Sequence, residues 1–191
     1  MSLNEVGDFD VCRKVERLLG EWLAESGGSR IDTYYNAIHL TGEVEHWLTM
    51  DDGQQESVRL PSKINFAMDD LRPAQVDPCR GAWLWSHLWM EASDGVLHQE
   101  CDWMREPVID DDEPVMDGDA ALELDYFPRD PQWVPEWMAV KAAAYHKEAE
   151  RRERRRQRDR ERRARKKAEA AGAAEVTGER SGSDASGQVD E

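Results

Sequence analysis

The sequence predicts an α+β fold: an N-terminal helix, an antiparallel sheet of about four to six strands built from hairpins, a short middle helix, and a C-terminal helix extended by an Arg-rich arm. Three observations carry this. An apolar stripe at offsets of three and four opens the chain, runs of bulky residues meet at Asp-Gly pairs in its middle, and a proline introduces a last periodic segment that turns basic.

The first helix is read from residues 10–25, where Val11, Val15, Leu18, Leu19 and Trp22 share one face. Asp8 or Asp10 would cap it, and Gly27-Gly28 would supply the left-handed exit. β-branched and aromatic residues from Ile31 to Leu40 predict a strand; Val44–Met50 and Gln55–Leu60 predict a hairpin about Asp52-Gly53. Ile64, Ala67, Met68 and Leu71 then line a short helix, with Ser62 as cap and Pro73 as stop. The hairpin at 81–104 follows, holding four of the eight tryptophans around Asp94-Gly95. Residues 106–119 are dominated by Asp, Glu, Pro and Gly and read as an acidic loop. Asp119 would cap a helical turn ended by Pro128, and Pro135 suits the first turn of the last helix.

Charge divides the chain. Residues 1–146 carry 11 basic and 30 acidic side chains, a balance of −19. Residues 147–167 carry 13 and 5, or +8, and residues 168–191 carry 1 and 6, or −5. These three stretches are read as an acidic α+β domain, a basic helical extension and a disordered tail. An acidic body repels phosphates and draws basic protein surfaces. Cys12, Cys79 and Cys101 have no CxxC spacing and no even count, which fits a reducing cytoplasm. No basic flank precedes an apolar run, and no stretch approaches the ~20 apolar residues of a membrane span. The expectation is a cytoplasmic protein without export or membrane contact.

Pairing the hairpin so that residue numbers sum to 189 puts Leu84, Leu88, Met90, Leu97, Cys101 and Trp103 on one face. The other face then shows Trp83, Trp85, His87, Trp89 and Glu91 beside His98, Glu100 and Asp102. Three readings of that mixed face compete: the first helix covers it, making its tryptophans core, a partner does, or it is a site that does chemistry, a hydrolase using His87 and Asp102. In this register His87 and Asp102 would be cross-strand neighbours, a pair more often structural than catalytic. The spacing matches no metal motif. No nucleophile elbow, phosphate-cradling glycine loop or HExxH run is present, so the sequence gives no catalytic residue, metal ligand or cofactor.

The stretch Phe127-Pro128-Arg129-Asp130 followed by Val134-Pro135-Glu136-Trp137-Met138 resembles the C-terminal signature of the YezG-like immunity, or antitoxin, proteins of bacterial polymorphic toxin systems. Gly81-Ala82-Trp83 and the Asp94-Gly95 turn followed by an acidic, aromatic strand are similar to that family too. The resemblance spans roughly residues 10–140. It implies a non-enzymatic α+β domain that binds and blocks a toxin domain made by the same or a neighbouring cell. Toxins met by the family include nucleases, whose clefts are basic. The partner-binding residues expected on this reading are Trp85, Trp89, Glu100, Asp102, Asp110, Asp111 and Asp112. The long Arg-rich extension departs from the family pattern. A second reading rests on that arm: an accessory protein of nucleic acid or the ribosome, contacting phosphates through Arg151, Arg152, Arg154, Arg155 and Arg156. The arm lacks the interleaved aromatics that would stack on bases.

Overall fold

The computed structural model describes residues 3–109 and 114–181. Its elements run α1 (Leu3–Ser26), β1 (Arg30–Ile38), β2 (Thr41–Thr49), β3 (Gln55–Ser57), α2 (Ser62–Asp69), α3 (Leu71–Ala74), β4 (Trp85–Glu91), β5 (Leu97–Asp102), α4 (Asp117–Tyr126) and α5 (Glu136–Ser181), with a 3-10 turn at Pro131–Trp133. The fold is α+β. One antiparallel sheet has the strand order β3-β2-β1-β4-β5.

The two faces of the sheet follow from alternation along β1. Ile31, Thr33, Tyr35 and Ala37 are buried on one side, where Val15, Leu18, Leu19 and Leu23 of α1 and Ile64, Ala67, Met68 and Leu71 of α2 and α3 pack with Leu48, Leu88 and Met90. Helix α1 therefore covers the plain face of the 81–104 hairpin and leaves the mixed one. At its end Ser26 Oγ donates to the Leu23 carbonyl at 2.8 Å, and Gly27 takes φ +72° to turn the chain into β1.

The opposite side is covered over part of its length. Ile38 and Leu84 form a second core with Val115, Ala120 of α4 and Met138 of α5, flanked by Ile109, Leu124 and Trp137. Apart from buried Asp32, the rest of that side is half-buried or exposed.

Several local expectations are corrected. The helix at the start begins at Leu3, so Asp8 and Asp10 lie inside it rather than at its first turn. Ser62 makes no capping bond; Pro61 holds the N-cap position, and Pro73 sits inside α3. Proline is tolerated there because the first turn of a helix has no partner for its N–H. Asp119 also lies within its helix, whose N-cap is Met116. The strand β3 stops at Ser57, three residues short of the expected Leu60.

The hairpin pairs Trp85 with Asp102, His87 with Glu100 and Trp89 with His98, so numbers sum to 187, two less than expected. A shift of two keeps every side chain of the strands on its expected face. Trp83 and Leu84 precede the strand and exchange sides: Trp83 is 1% exposed in the first core, and Leu84 lies in the second.

Met1–Tyr145 and His146–Glu191 form separate compact units. In the second, helical backbone continues to Ser181, through residues 168–181 of the expected tail; residues 182–191 lie outside the described residues.

Candidate functional site

Registers β1–β2, β1–β4 and β4–β5 together place a grid of side chains on the uncovered part of the sheet. Reading across from β2 to β5, one row is Trp47, Asp32, Trp89, His98; the next is Glu45, Tyr34, His87, Glu100; the third is Glu43, Asn36, Trp85, Asp102. Rings fill much of the middle. Carboxylates stand along both sides, separated by three strand spacings, or about 14 Å.

The rings are ordered against one another. Tyr34 stacks on His87 with centroids 4.4 Å apart, His87 on Trp89 at 4.8 Å, and Trp89 on His98 at 5.2 Å. Asp32 lies beneath this stack, 5% exposed. It accepts from Arg30 through Nε at 2.7 Å and Nη2 at 2.6 Å, and it lies 2.8 Å from His87 Nε2. Burial alone would raise its pKa, but the bonds from Arg30 and His87 outweigh that and hold it below the ordinary carboxylate range. An ionised Asp32 can only accept, so His87 donates from Nε2. Arg30 also reaches Glu91 at 3.1 Å. The ladder is thus fixed from below.

Of the residues expected to bind a partner, Trp85 and Trp89 are half-buried on this face and Glu100 is exposed beside them. Asp102 is there too, but its Oδ1 accepts from the amides of Met104 at 2.7 Å and Arg105 at 3.0 Å, so it also shapes the chain leaving β5. Asp110, Asp111 and Asp112 lie outside the described residues. The expected His87–Asp102 pairing is corrected: His87 faces Glu100 and bonds to Asp32 on the neighbouring strand. Among the described residues no group of three or more His, Cys, Asp or Glu side chains is arranged to hold a metal ion.

The sequence reading missed the other half of the face. Tyr34 on β1 and Glu45 and Trp47 on β2 stand beside buried Thr33, Tyr35, His46 and Leu48, and that period-two pattern is the available signal; Asp32 and Glu43 break it. It was overlooked because only pairing between β1 and β4 brings those residues beside the tryptophans.

The residues that carry the family resemblance have a different task. Glu123 of α4, fully buried, takes both Arg72 Nη2 contacts at 2.8 and 2.7 Å and Arg129 Nη2 at 3.1 Å. Arg129 also donates to the carbonyls of Trp103 at 2.7 Å and Ala82 at 2.6 Å. Burial lowers the Arg129 pKa, and Glu123 opposes that. Gly81, at φ +71°, lies where a Cβ would come within 2.8 Å of both the Arg129 side chain and the Phe127 carbonyl oxygen. Gly81, Phe127 and Arg129 therefore form one structural joint.

In the arm, Arg151 and Arg152 pair with Glu148, and Arg154 with Glu150, at 3.9, 3.2 and 3.2 Å. Arg155 and Arg156 are exposed and make no ion pair among the described residues.

No protein-family model matches the chain, and no match to a curated protein was found. No described helix is long and apolar enough to cross a membrane.

Proposed function

We propose that this chain is an immunity protein that neutralises a cognate bacterial toxin domain by stoichiometric binding, and that the open part of the sheet is its contact surface. The observation that carries the reading is the ring strip between two carboxylate columns, one at Glu43 and Glu45 and one at Glu100 and Asp102. Rigid aromatic side chains give contact area at small entropic cost, and a charged surround steers a basic partner and rejects an acidic one. The acidic body, −19 over residues 1–146, acts in the same direction at longer range. A toxin nuclease suits this surface, because its substrate cleft is built for phosphates and carboxylates can occupy their places.

The resemblance to YezG-like proteins motivates the reading; its residues Gly81, Phe127 and Arg129 form a structural joint in this chain. It does not choose the contact residues. The contact residues proposed are those on the open face.

The test is co-expression with the toxin encoded beside the gene. Cells carrying both are expected to grow, and cells carrying the toxin with the Trp89→Ala variant are expected to be poisoned. A toxin that kills equally well in the presence of the unaltered chain would end the proposal.

A further inference from the structure

We infer that the open face selects arginine side chains over lysine in the partner it binds. The inference rests on the reading of this face as a partner surface and adds which chemical group the face recognises.

The protein already solves the problem of holding a cation against these rings, and each time it uses a guanidinium. Arg30 grips Asp32 through two nitrogens while its guanidinium carbon lies 5.8 Å from the Trp89 ring centre. Arg105 lies 4.3 Å from the Trp85 ring centre, with Nε 3.7 Å from Asp102. Away from this face, beside the first core, Arg80 likewise sits 3.8 Å from the Trp103 ring centre and pairs with Asp77 at 2.9 Å. Ring and carboxylate recur together.

Both components are also present without a cation of their own. Glu43 and Glu100 are exposed and make no ion pair among the described residues, and Glu45 accepts only a 3.3 Å bond from the indole of Trp47. Glu100 stands directly across from His87, in the middle of the stack, and Glu45 directly across from Tyr34. A side chain arriving at either place meets an aromatic surface and a carboxylate together.

That combination separates the two basic residues. A guanidinium is planar and weakly hydrated, so it can lie on a ring and still present a fork of N–H donors to a carboxylate. An ammonium is a compact, strongly hydrated charge that must give up more water to do either. A purely acidic surface would accept both nearly alike.

The experiment uses the intact chain and two synthetic peptides, one alternating arginine with alanine and its twin with lysine in place of every arginine. Affinity is read from tryptophan fluorescence and titration calorimetry. The arginine peptide is expected to bind about tenfold tighter or more. The double variant Glu45→Gln, Glu100→Gln changes two exposed side chains, so its melting temperature should match the parent, and the preference should shrink to below about threefold. Equal binding of the two peptides overturns the inference, as does a preference that survives in the double variant or failure of both peptides to bind. Equal binding that the variant still weakens would remove arginine selection and leave the face standing as a surface for basic partners.

Discussion

Replacing Glu123 with alanine removes the single carboxylate shared by two guanidiniums. Glu123 and the Arg129 side chain are fully buried, and the Arg72 side chain is 9% exposed. After the change both cations keep carbonyl partners, Trp83 and His39 for Arg72 and Trp103 and Ala82 for Arg129, but neither keeps a counter-charge. The His39 amide, which donates to Glu123 at 2.6 Å, is left without an acceptor. That amide belongs to a residue at φ 51° in the β1–β2 turn, a conformation that costs about 1–2 kcal/mol and is held by Glu123 on one side and Arg72 on the other. Breaking a buried pair costs about 3–5 kcal/mol and orphaning an amide about 1 more, so the expected loss is about 4–6 kcal/mol. For a domain of this size that lowers the melting temperature by on the order of 10–20 °C. Glu123→Gln keeps an acceptor and loses only the charge; about half the effect is expected. Urea unfolding followed by tryptophan fluorescence reads both variants. A loss below about 1 kcal/mol for the alanine variant, at an unchanged m-value, would refute the assignment of this triad as the joint between α3, α4 and the sheet.

Gly81→Ala should cost clearly more than Gly95→Ala, although both glycines have positive φ: a Cβ at 81 meets Arg129 and Phe127 at 2.8 Å, whereas at 95 it meets nothing within 4 Å. Thermal melts should separate a conformational cost of about 1 kcal/mol at 95 from several at 81. Burial pushes the His46 imidazole below its ordinary value, so the unfolded chain takes up that proton first. Stability should therefore be full above about pH 6.5 and fall as the pH drops through the folded value, and the His46→Leu variant should lack this segment of the urea-midpoint profile. Trp83→Ala, at a site 1% exposed, should cost about 3–5 kcal/mol in unfolding, while Trp89→Ala on the open face should cost less and abolish toxin protection. Equal losses of stability from the two would return Trp89 to the core.

Much of the fold was legible because local pattern and tertiary packing agree here. Val15, Leu18 and Leu19 point where their spacing says, and Asp94-Gly95 turns the hairpin it announces, with Gly95 at φ +64°. Capping was less legible. Asp8, Asp10, Ser62 and Asp119 are good caps by type, but neighbouring segments continued or started each helix elsewhere. The register error had a physical source as well: the hairpin turn takes up residues 92–96 asymmetrically, with the Gly95 amide bonding back to the Glu91 carbonyl at 2.9 Å.

Half of the candidate site could be read and half could not. Trp85, Trp89, Glu100 and Asp102 are near in sequence, so a hairpin suffices to collect them. Asp32 and Tyr34 enter only through the β1–β4 pairing, and Glu45 and Trp47 through β2 on the far side of β1, none of which a single sequence declares. The Glu123 triad was invisible for the same reason, since its members are 51 and 6 residues apart and only the fold closes the distance. Arg129 drew notice as part of a family signature, and the structure gives it a reason: it ties the chain after α4 to the carbonyls of Ala82 and Trp103.

The most direct test of the proposed contact surface is a calorimetric titration of the purified domain of the toxin encoded beside the gene with the parent chain and with a Glu45→Lys, Glu100→Lys variant. One toxin should bind per chain, and the variant should bind roughly a hundredfold more weakly or worse while melting at the parent temperature. Unchanged affinity in the variant would mean that the toxin sits elsewhere.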